Sequence, residues 1–270
     1  MPLPTPSRLL SFAFVAVMAL AAAPARGQTV TNGSLAIRAE SAFVQAQKEA
    51  ALHPGDAKAC CNLGRATYNY AELVTNSDQR AAIARAGIAA CRQLLARDSY
   101  SGAGHYYLGM DYGELAAAEA PSMAAYKLIH EIEHEFKAAD DLDEKLDFGG
   151  PPRCLGLLYR DAPGWPISIG NRRKAREYLR RAAEIAPDFP ENQMNLVESA
   201  ILWHEASDAE KAWQTLNAIW PAARTNLTGV AWDQDWADWT QRRAAARSDF
   251  EKAFHRPLEL PAQEPGKNKR

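Results

Sequence analysis

The sequence carries little net charge, because 31 lysine and arginine residues nearly balance 33 aspartate and glutamate residues and leave a formal charge of -2 at pH 7. Proteins that bind the phosphate backbone of nucleic acids concentrate positive charge on one surface. A chain this close to neutrality has no basic field of that kind, and it has no acidic block that would attract a basic partner. We therefore expect that nucleic acid is not a ligand.

Cysteine is scarce as well, with only Cys60, Cys61, Cys91 and Cys154 in a chain of 270 residues. So few cysteines do not make the disulfide framework that holds small secreted domains together. Two interpretations stay open. Either Cys91 forms one bridge with Cys60 or Cys61, or the four are small buried residues on helices.

Long apolar runs are lacking outside the N-terminus. There Arg8 precedes an apolar run over residues 9–23, and residues 23–25 read Ala-Pro-Ala, which is typical of a signal-peptide cleavage site. About 15 apolar residues fall short of the roughly 20 that a membrane-spanning helix needs. The pattern predicts a cleaved signal peptide over residues 1–25, with a membrane anchor as the alternative. We expect a periplasmic or secreted protein without a membrane span after cleavage.

What the sequence does contain is an internal repeat. Two small or apolar residues and a closing proline recur after one period of about 34 residues, the length of a tetratricopeptide unit. The matched pairs are Ala175 with Ala209, Ala182 with Leu216, and Pro187 with Pro221. The Leu-Gly pair of the first helix of such units recurs at residues 63–64, 108–109 and 155–156.

The repeat predicts an all-α fold, a tetratricopeptide-like α-solenoid of about four helical hairpins. Each hairpin buries its apolar faces only by stacking on its neighbours. The glycine of each Leu-Gly pair leaves room for the facing helix, and a proline is expected to end each second helix because it lacks the N–H group. The repeat domain is expected over residues 26–255, and a disordered polar tail over residues 256–270.

After the last repeat, Trp232, Trp236 and Trp239 recur at helical spacing. We interpret them as a C-terminal capping helix, since terminal repeats must cover their exposed side. A platform for a carbohydrate or an aromatic ligand is the alternative.

The repeat is interrupted at residues 140–152 and at residues 161–171. The first interruption begins with an acidic stretch and ends in the run Gly-Gly-Pro-Pro. Its acidic residues lack the spacing of a calcium-binding loop and are interpreted as a solvated helix end. They are Asp140, Asp141, Asp143, Glu144 and Asp147.

The second interruption lengthens the connection between the two helices of the third hairpin, and such breaks in a repeat are where function concentrates. Trp165, Tyr159, Arg153 and Arg172 lie in or near it and are predicted to bind a partner. An aromatic anchor with planar hydrogen-bond donors is the composition of interface hot spots. The alternative is structural: Tyr159 occupies a packing position of its unit, and Trp165 pins the loop.

A zinc-protease motif is present at residues 130–134, where His130, Glu131 and His134 match the pattern His-Glu-x-x-His. Two histidines four residues apart share one helix face and can bind zinc, with the glutamate as general base. However, glutamates flank His134 on both sides, and no third ligand follows at the usual distance. If Ile132 lies on the buried face of this helix, both histidines point the other way, into solvent or into the groove of the repeat.

The chain resembles a known family over most of its mature length. The motifs that carry the resemblance lie between Gly149 and Trp239, at residues 150–159, 161–166, 174–177 and 187–192, and the two Pro/Gly-rich loops are its most specific part. These segments are similar to the T-component family of tripartite ATP-independent periplasmic (TRAP) transporters, although the lipoprotein cysteine of founding members is missing. The resemblance implies an α-helical periplasmic protein that associates with a solute-binding protein and helps to pass an apolar ligand to it.

The sequence therefore predicts an extracytoplasmic binding or scaffold protein, accessory to a TRAP-type uptake system. No enzymatic activity and no cofactor are expected. The expected partner is a protein, with a periplasmic solute-binding protein as the candidate, and formation of a homo-oligomer is left open. The alternative function is a zinc-dependent hydrolase that uses His130, Glu131 and His134.

Overall fold

The computed structural model describes residues 29–120 and 122–258. Over these ranges every regular element is a helix, and the only strand-like pairing is an isolated bridge between Gly164 and Gly170. The prediction of an all-α fold is confirmed. The signal peptide predicted over residues 1–25 lies outside the described residues, as does the part of the predicted tail beyond Leu258.

Ten α-helices and one short 3-10 helix follow one another along the described chain. They are α1 (Thr29–Leu52), α2 (Ala57–Ala71), α3 (Ser77–Leu95), α4 (Gly102–Glu119), α5 (Met123–Asp143), α6 (Leu146–Asp161), α7 (Arg172–Ile185), α8 (Pro190–Leu202), α9 (Ala206–Asn226), the 3-10 helix Val230–Trp232, and α10 (Asp233–Phe254). The chain divides into two compact units between Arg181 and Ala182, within α7.

Four helices of the first unit start at a polar capping residue. Asp56, Asn76, Ser101 and Ser122 precede α2, α3, α4 and α5. The side-chain oxygen of each accepts a backbone N–H of the first turn at 2.8–3.1 Å. Each cap satisfies a donor that has no partner within its own helix.

The three glycines of the Leu-Gly pairs lie where another helix approaches closely. A Cβ atom at Gly64 would lie 2.9 Å from the sulfur of Cys91 on α3, and one at Gly109 would lie 2.7 Å from Phe136 on α5. A Cβ atom at Gly156 would lie 2.7 Å from α7. The role predicted for these glycines, to leave room for the facing helix, is confirmed.

Consecutive helices from α1 to α6 pack against one another, and α4 also packs against α2. The core of the first unit includes a cluster of apolar side chains from α1, α2 and α3. Its largest members are Phe43, Leu63, Tyr70, Ile83 and Leu94. All four cysteines are free: Cys61 is partly buried and the other three are buried. They are therefore packing residues, and the bridge considered for Cys91 is not formed.

In the second unit, α8 packs against α9 and α10 around a core that contains Trp213, Leu216 and Phe250. Trp232 and Trp239 are buried, and the ring centroids of Trp236 and Trp239 lie 4.9 Å apart. The two buried rings are packing residues, so these two do not form the open platform for a carbohydrate or an aromatic ligand that is the alternative to a capping helix.

Two boundaries predicted from the sequence differ from the structure. Pro221 does not end its helix, because α9 continues to Asn226. A proline within a helix removes one backbone hydrogen bond. The residue before it, Trp220, is held in place by its contact with Trp236, with 5.2 Å between the ring centroids. The tail is predicted to start at Arg256, but Leu258 is buried in the core of the second unit.

Within the part of the chain that the structure describes, no helix combines the length and the apolarity needed to span a bilayer.

Candidate functional site

The interruption predicted at residues 161–171 is a loop between α6 and α7 whose base is fixed by the backbone. The N–H of Asn171 donates to the carbonyl of Tyr159 at 2.8 Å, and the N–H of Gly170 donates to the carbonyl of Pro163 at 2.9 Å. Gly170 lies so close to the opposite side of the loop that a Cβ atom there would be 2.0 Å from the carbonyl oxygen of Ala162. The ends of the loop are therefore held together.

Trp165 lies in this loop and is 88% exposed, and Ile167 is 70% exposed. An indole this exposed does not pin the loop to the body of the protein, so the structural alternative for Trp165 does not hold. Large apolar side chains that stay in water on a fixed loop are typical of a surface that is covered by a partner. The sequence indicated Trp165, whereas Ile167 was missed because a lone isoleucine carries no signal of its exposure.

Tyr159 lies in the interior and is 1% exposed. Its hydroxyl donates to Oε1 of Glu133 at 2.5 Å, and its ring stacks against Tyr178 at 5.7 Å between centroids. Burial, followed by the carboxylate of Glu133, raises the pKa of this tyrosine far above its usual range. Tyr159 therefore joins α5, α6 and α7 as a packing residue, and the contact role predicted for it does not fit this structure.

Arg153 is also interior, with 1% exposure. Its guanidinium donates to the carbonyl oxygens of Asp147 and Phe148 at 3.2 and 3.3 Å, and it lies 3.5 Å from the Asp147 carboxylate. That carboxylate also accepts a hydrogen bond of 2.7 Å from Tyr106. Arg153 is thus part of a buried polar cluster, and the partner contact predicted for it does not fit this structure either.

The backbone beside Arg153 is unusual. Asp147, Phe148 and Gly149 have φ values of 56°, 57° and 77°, so three consecutive residues adopt the left-handed conformation. Only glycine takes this conformation without cost, and two of the three are not glycine. The hydrogen bonds from Arg153 to the carbonyls of Asp147 and Phe148 help to hold the turn.

Arg172 is the remaining predicted contact residue, and it is exposed at the start of α7, directly after the loop. Of the four residues predicted to bind a partner, Trp165 and Arg172 therefore lie on the surface. With Ile167 they make the candidate binding surface, which consists of the loop 161–171 together with Arg172 and which we call the 161–171 surface.

The acidic residues of the first interruption are not all solvated, which corrects the interpretation from the sequence. Asp140 and Asp147 are buried. Asp140 and Glu144 accept hydrogen bonds from Arg181 of α7 at 2.7 and 2.6 Å. These ion pairs join α5 to α7, so part of the acidic stretch is used for packing between helices.

The zinc-protease motif lies on α5, with His130, Glu131 and His134 exposed and Ile132 fully buried, as the helical pattern predicted. Among the residues that the structure describes, no group of three or more His, Cys, Asp and Glu side chains is placed to hold a metal ion. The described side chains around His130 and His134 therefore do not fit a zinc centre with three protein ligands.

A buried carboxyl that the sequence did not reveal lies between α2, α3 and α4. Asp111 is fully buried, and neither of its oxygens has a hydrogen-bond partner among the described residues. The carboxyl occupies space left by Gly87, where a Cβ atom would lie 2.1 Å from Oδ2 of Asp111 and 2.8 Å from the hydroxyl of Thr67. Burial, followed by the nearby Glu114, raises the pKa of Asp111 well above its usual range.

We expect Asp111→Asn to be more stable than the wild type at pH 7, by on the order of 1 kcal/mol. Because the folded-state pKa of Asp111 is raised, its contribution to stability is fully present below the unfolded-state pKa of about 4 and is lost as the pH rises toward the folded-state value. The amide cannot ionise, so the gain should shrink as the pH falls toward about 4. Urea unfolding at several pH values measures this difference, with the exposed Asp141→Asn as control. A gain that does not depend on pH would contradict the explanation.

Comparison of the chain with models of known protein families and with curated proteins gives no match.

Proposed function

We propose that the protein is an extracytoplasmic scaffold built from helical repeats, which binds a protein partner through the 161–171 surface. The observation that carries the proposal is Trp165, an indole that is 88% exposed on a loop with a fixed base. A rigid aromatic anchor loses little conformational freedom on binding, and such residues dominate the energy of interfaces.

Two features support a tetratricopeptide-like stack of hairpins. The first is the contact of α4 with α2 across α3, which stacked hairpins require between their first helices. The second is the repeated approach of a glycine to the following helix. The same number of residues separates Gly64 from Cys91 and Gly109 from Phe136. Repeats of this kind present extended surfaces for binding, which agrees with a scaffold rather than an enzyme.

The partner surface should combine an apolar pocket with negative charge. The indole of Trp165 requires an apolar pocket, and α7 begins beside it with the exposed basic residues Arg172 and Arg173. Complementary charge at the rim of an interface speeds association and fixes orientation. We propose that the partner is a periplasmic solute-binding protein and that the chain is accessory to a TRAP-type system, on the basis of the sequence resemblance over residues 149–239.

We expect Trp165→Ala to weaken partner binding by about 30-fold, the loss of about 2 kcal/mol that defines a hot spot. The tagged chain is purified from its native cells, the protein that co-purifies is identified by mass spectrometry, and its affinity for each purified variant is measured by calorimetry. Stability should change little, because the side chain is exposed. Tyr100→Ala is the matched control, since this tyrosine is 81% exposed and lies between α3 and α4.

Two results would contradict the proposal. One is an affinity that Trp165→Ala leaves unchanged, or that Tyr100→Ala lowers equally. The other is a loss of ~3 kcal/mol or more of stability in Trp165→Ala, which is typical of a core aromatic residue.

A further inference from the structure

A cavity of about 290 Å³ lies between α9 and α10 in the second unit. Its wall is formed by Trp220, Arg224, Thr240, Arg243, Ala244 and Arg247. Three of these six residues are arginines and none is acidic. Positive charge is therefore concentrated at this cavity, although the chain as a whole has a net charge of -2.

Acidic partners do not neutralise these arginines. Within the described ranges, none of Arg224, Arg243 and Arg247 takes part in an ion pair, although Arg242, their neighbour in the chain, bonds to three carboxylates. Arg243 and Arg247 lie one helical turn apart, where like charges repel each other. Burial, followed by the charge of Arg247, lowers the pKa of Arg243. The local balance of charge therefore favours an anion.

Aromatic rings hold the guanidinium groups in place. The guanidinium carbon of Arg243 lies 4.7 Å from the ring centroid of Trp220, and that of Arg224 lies 4.2 Å from the ring centroid of Trp236. Trp220 and Trp236 also contact each other edge to face. A guanidinium that is stacked on an aromatic ring keeps its N–H groups in a fixed plane, so less freedom is lost when an anion binds.

The arginines differ in how far their donors are used. Nη2 of Arg243 donates to Asn217, and its Nε is buried and therefore does not face the cavity. Nη2 of Arg224 donates to the hydroxyl of Thr240 over a long distance of 3.4 Å, so this pair is weakly engaged. Arg247 is exposed and makes no hydrogen bond or ion pair within the described ranges, so its guanidinium has donors to offer.

We propose that this cavity binds a small organic carboxylate with a flat apolar body. The carboxylate would accept hydrogen bonds from Arg247, since the planar guanidinium matches a carboxylate in two-point geometry, and the positive charge of Arg243 would attract it. The apolar body would lie against Trp220 and Ala244. The volume suits a single ring with its acid group, because cavities for larger ligands begin at about 300 Å³.

The test uses benzoate as the probe and the full wild-type chain. Calorimetric titration at low ionic strength is expected to give saturable binding with a Kd of about 1 mM. Benzamide, which has the same shape without the charge, is expected to bind about tenfold more weakly. Added salt should weaken the binding of benzoate, because the exposed part of the site is screened.

Arg247→Gln is the main variant, because this arginine is exposed and its loss should leave the fold intact. It is expected to weaken benzoate binding about tenfold, the value of one charge-assisted hydrogen bond. Lys252→Gln is the matched control, since it removes one positive charge from the same helix outside the cavity and should bind as the wild type does. Arg243→Lys keeps the charge but loses the planar guanidinium that lies over Trp220, and it should also bind more weakly.

Three results would overturn the proposal. The first is the absence of saturable binding of benzoate to the wild type. The second is equal affinity in Arg247→Gln and the wild type. The third is binding of inorganic phosphate as tight as that of benzoate, which would identify a general site for oxyanions rather than a site for an organic carboxylate. None of these results bears on Trp165, so the two proposals are tested separately.

Discussion

Replacement of Arg242 by methionine is expected to lower the free energy of unfolding of the second unit by about 3–5 kcal/mol. The guanidinium of Arg242 donates to both carboxylate oxygens of Glu191 at 2.9 Å and to Glu198 at 2.7 Å, and it lies 3.2 Å from Asp238. Burial opposes its charge, but the carboxylates of Glu191 and Glu198 outweigh that effect and raise the pKa of Arg242 well above its usual range. Without Arg242, the buried carboxylates lose their counterion.

The burial of Glu191 leads to a second variant that tests the explanation. Glu191 is completely buried and also accepts a hydrogen bond of 2.6 Å from the indole of Trp239. Addition of Glu191→Gln to Arg242→Met should therefore restore part of the lost stability, because it removes an uncompensated buried charge. Arg247→Met on the same helix should change stability by less than about 0.5 kcal/mol.

Tryptophan fluorescence during urea unfolding is suited to the measurement. Six tryptophans lie in the second unit and only Trp165 lies in the first, so the signal reports mainly on the second unit. A loss below about 1 kcal/mol in Arg242→Met would contradict the assignment of a stabilising role to this ion-pair network.

Arg242 and Arg243 illustrate what the sequence could not predict. They are adjacent in the chain, yet Arg242 enters a cluster of acidic residues and Arg243 lies over Trp213 and Trp220. Successive residues of an α-helix point in directions about 100° apart, so each meets different neighbours from distant segments. The identity of those neighbours depends on how α8, α9 and α10 pack, and no local pattern contains that information.

Features that depend only on the local sequence could be predicted, because they do not require knowledge of distant neighbours. The Leu-Gly pair occurs three times in the sequence, and in each case its glycine lies at a close helix contact, such as Gly109 against Phe136. The helical content follows from apolar periodicity in the same way. The sequence also indicated Tyr159 and Trp165 as important aromatic residues, but only packing distinguishes the buried tyrosine from the exposed tryptophan.

The buried cluster at the start of α6 leads to the second large effect. Asp147→Asn is expected to destabilise the first unit by about 3 kcal/mol, because Arg153 is 1% exposed and would lose the carboxylate that faces it. Asparagine tolerates the left-handed backbone at φ 56°, so the substitution removes the charge without adding strain of its own. Tyr106, whose hydroxyl donates to the same carboxylate at 2.7 Å, would retain an acceptor in the amide oxygen.

Circular dichroism at 222 nm during urea unfolding measures this loss, with the exposed Asp141→Asn as the matched control on α5. Asp147→Asn and Arg153→Met together distinguish the two roles considered for Arg153, which are packing within the first unit and contact with the partner. If Arg153 only holds the left-handed turn and its surroundings, Arg153→Met should lose stability but bind the partner normally once folded. If instead Asp147→Asn and Arg153→Met keep wild-type stability and both bind the partner poorly, Arg153 acts at the interface and its assignment as a packing residue is wrong.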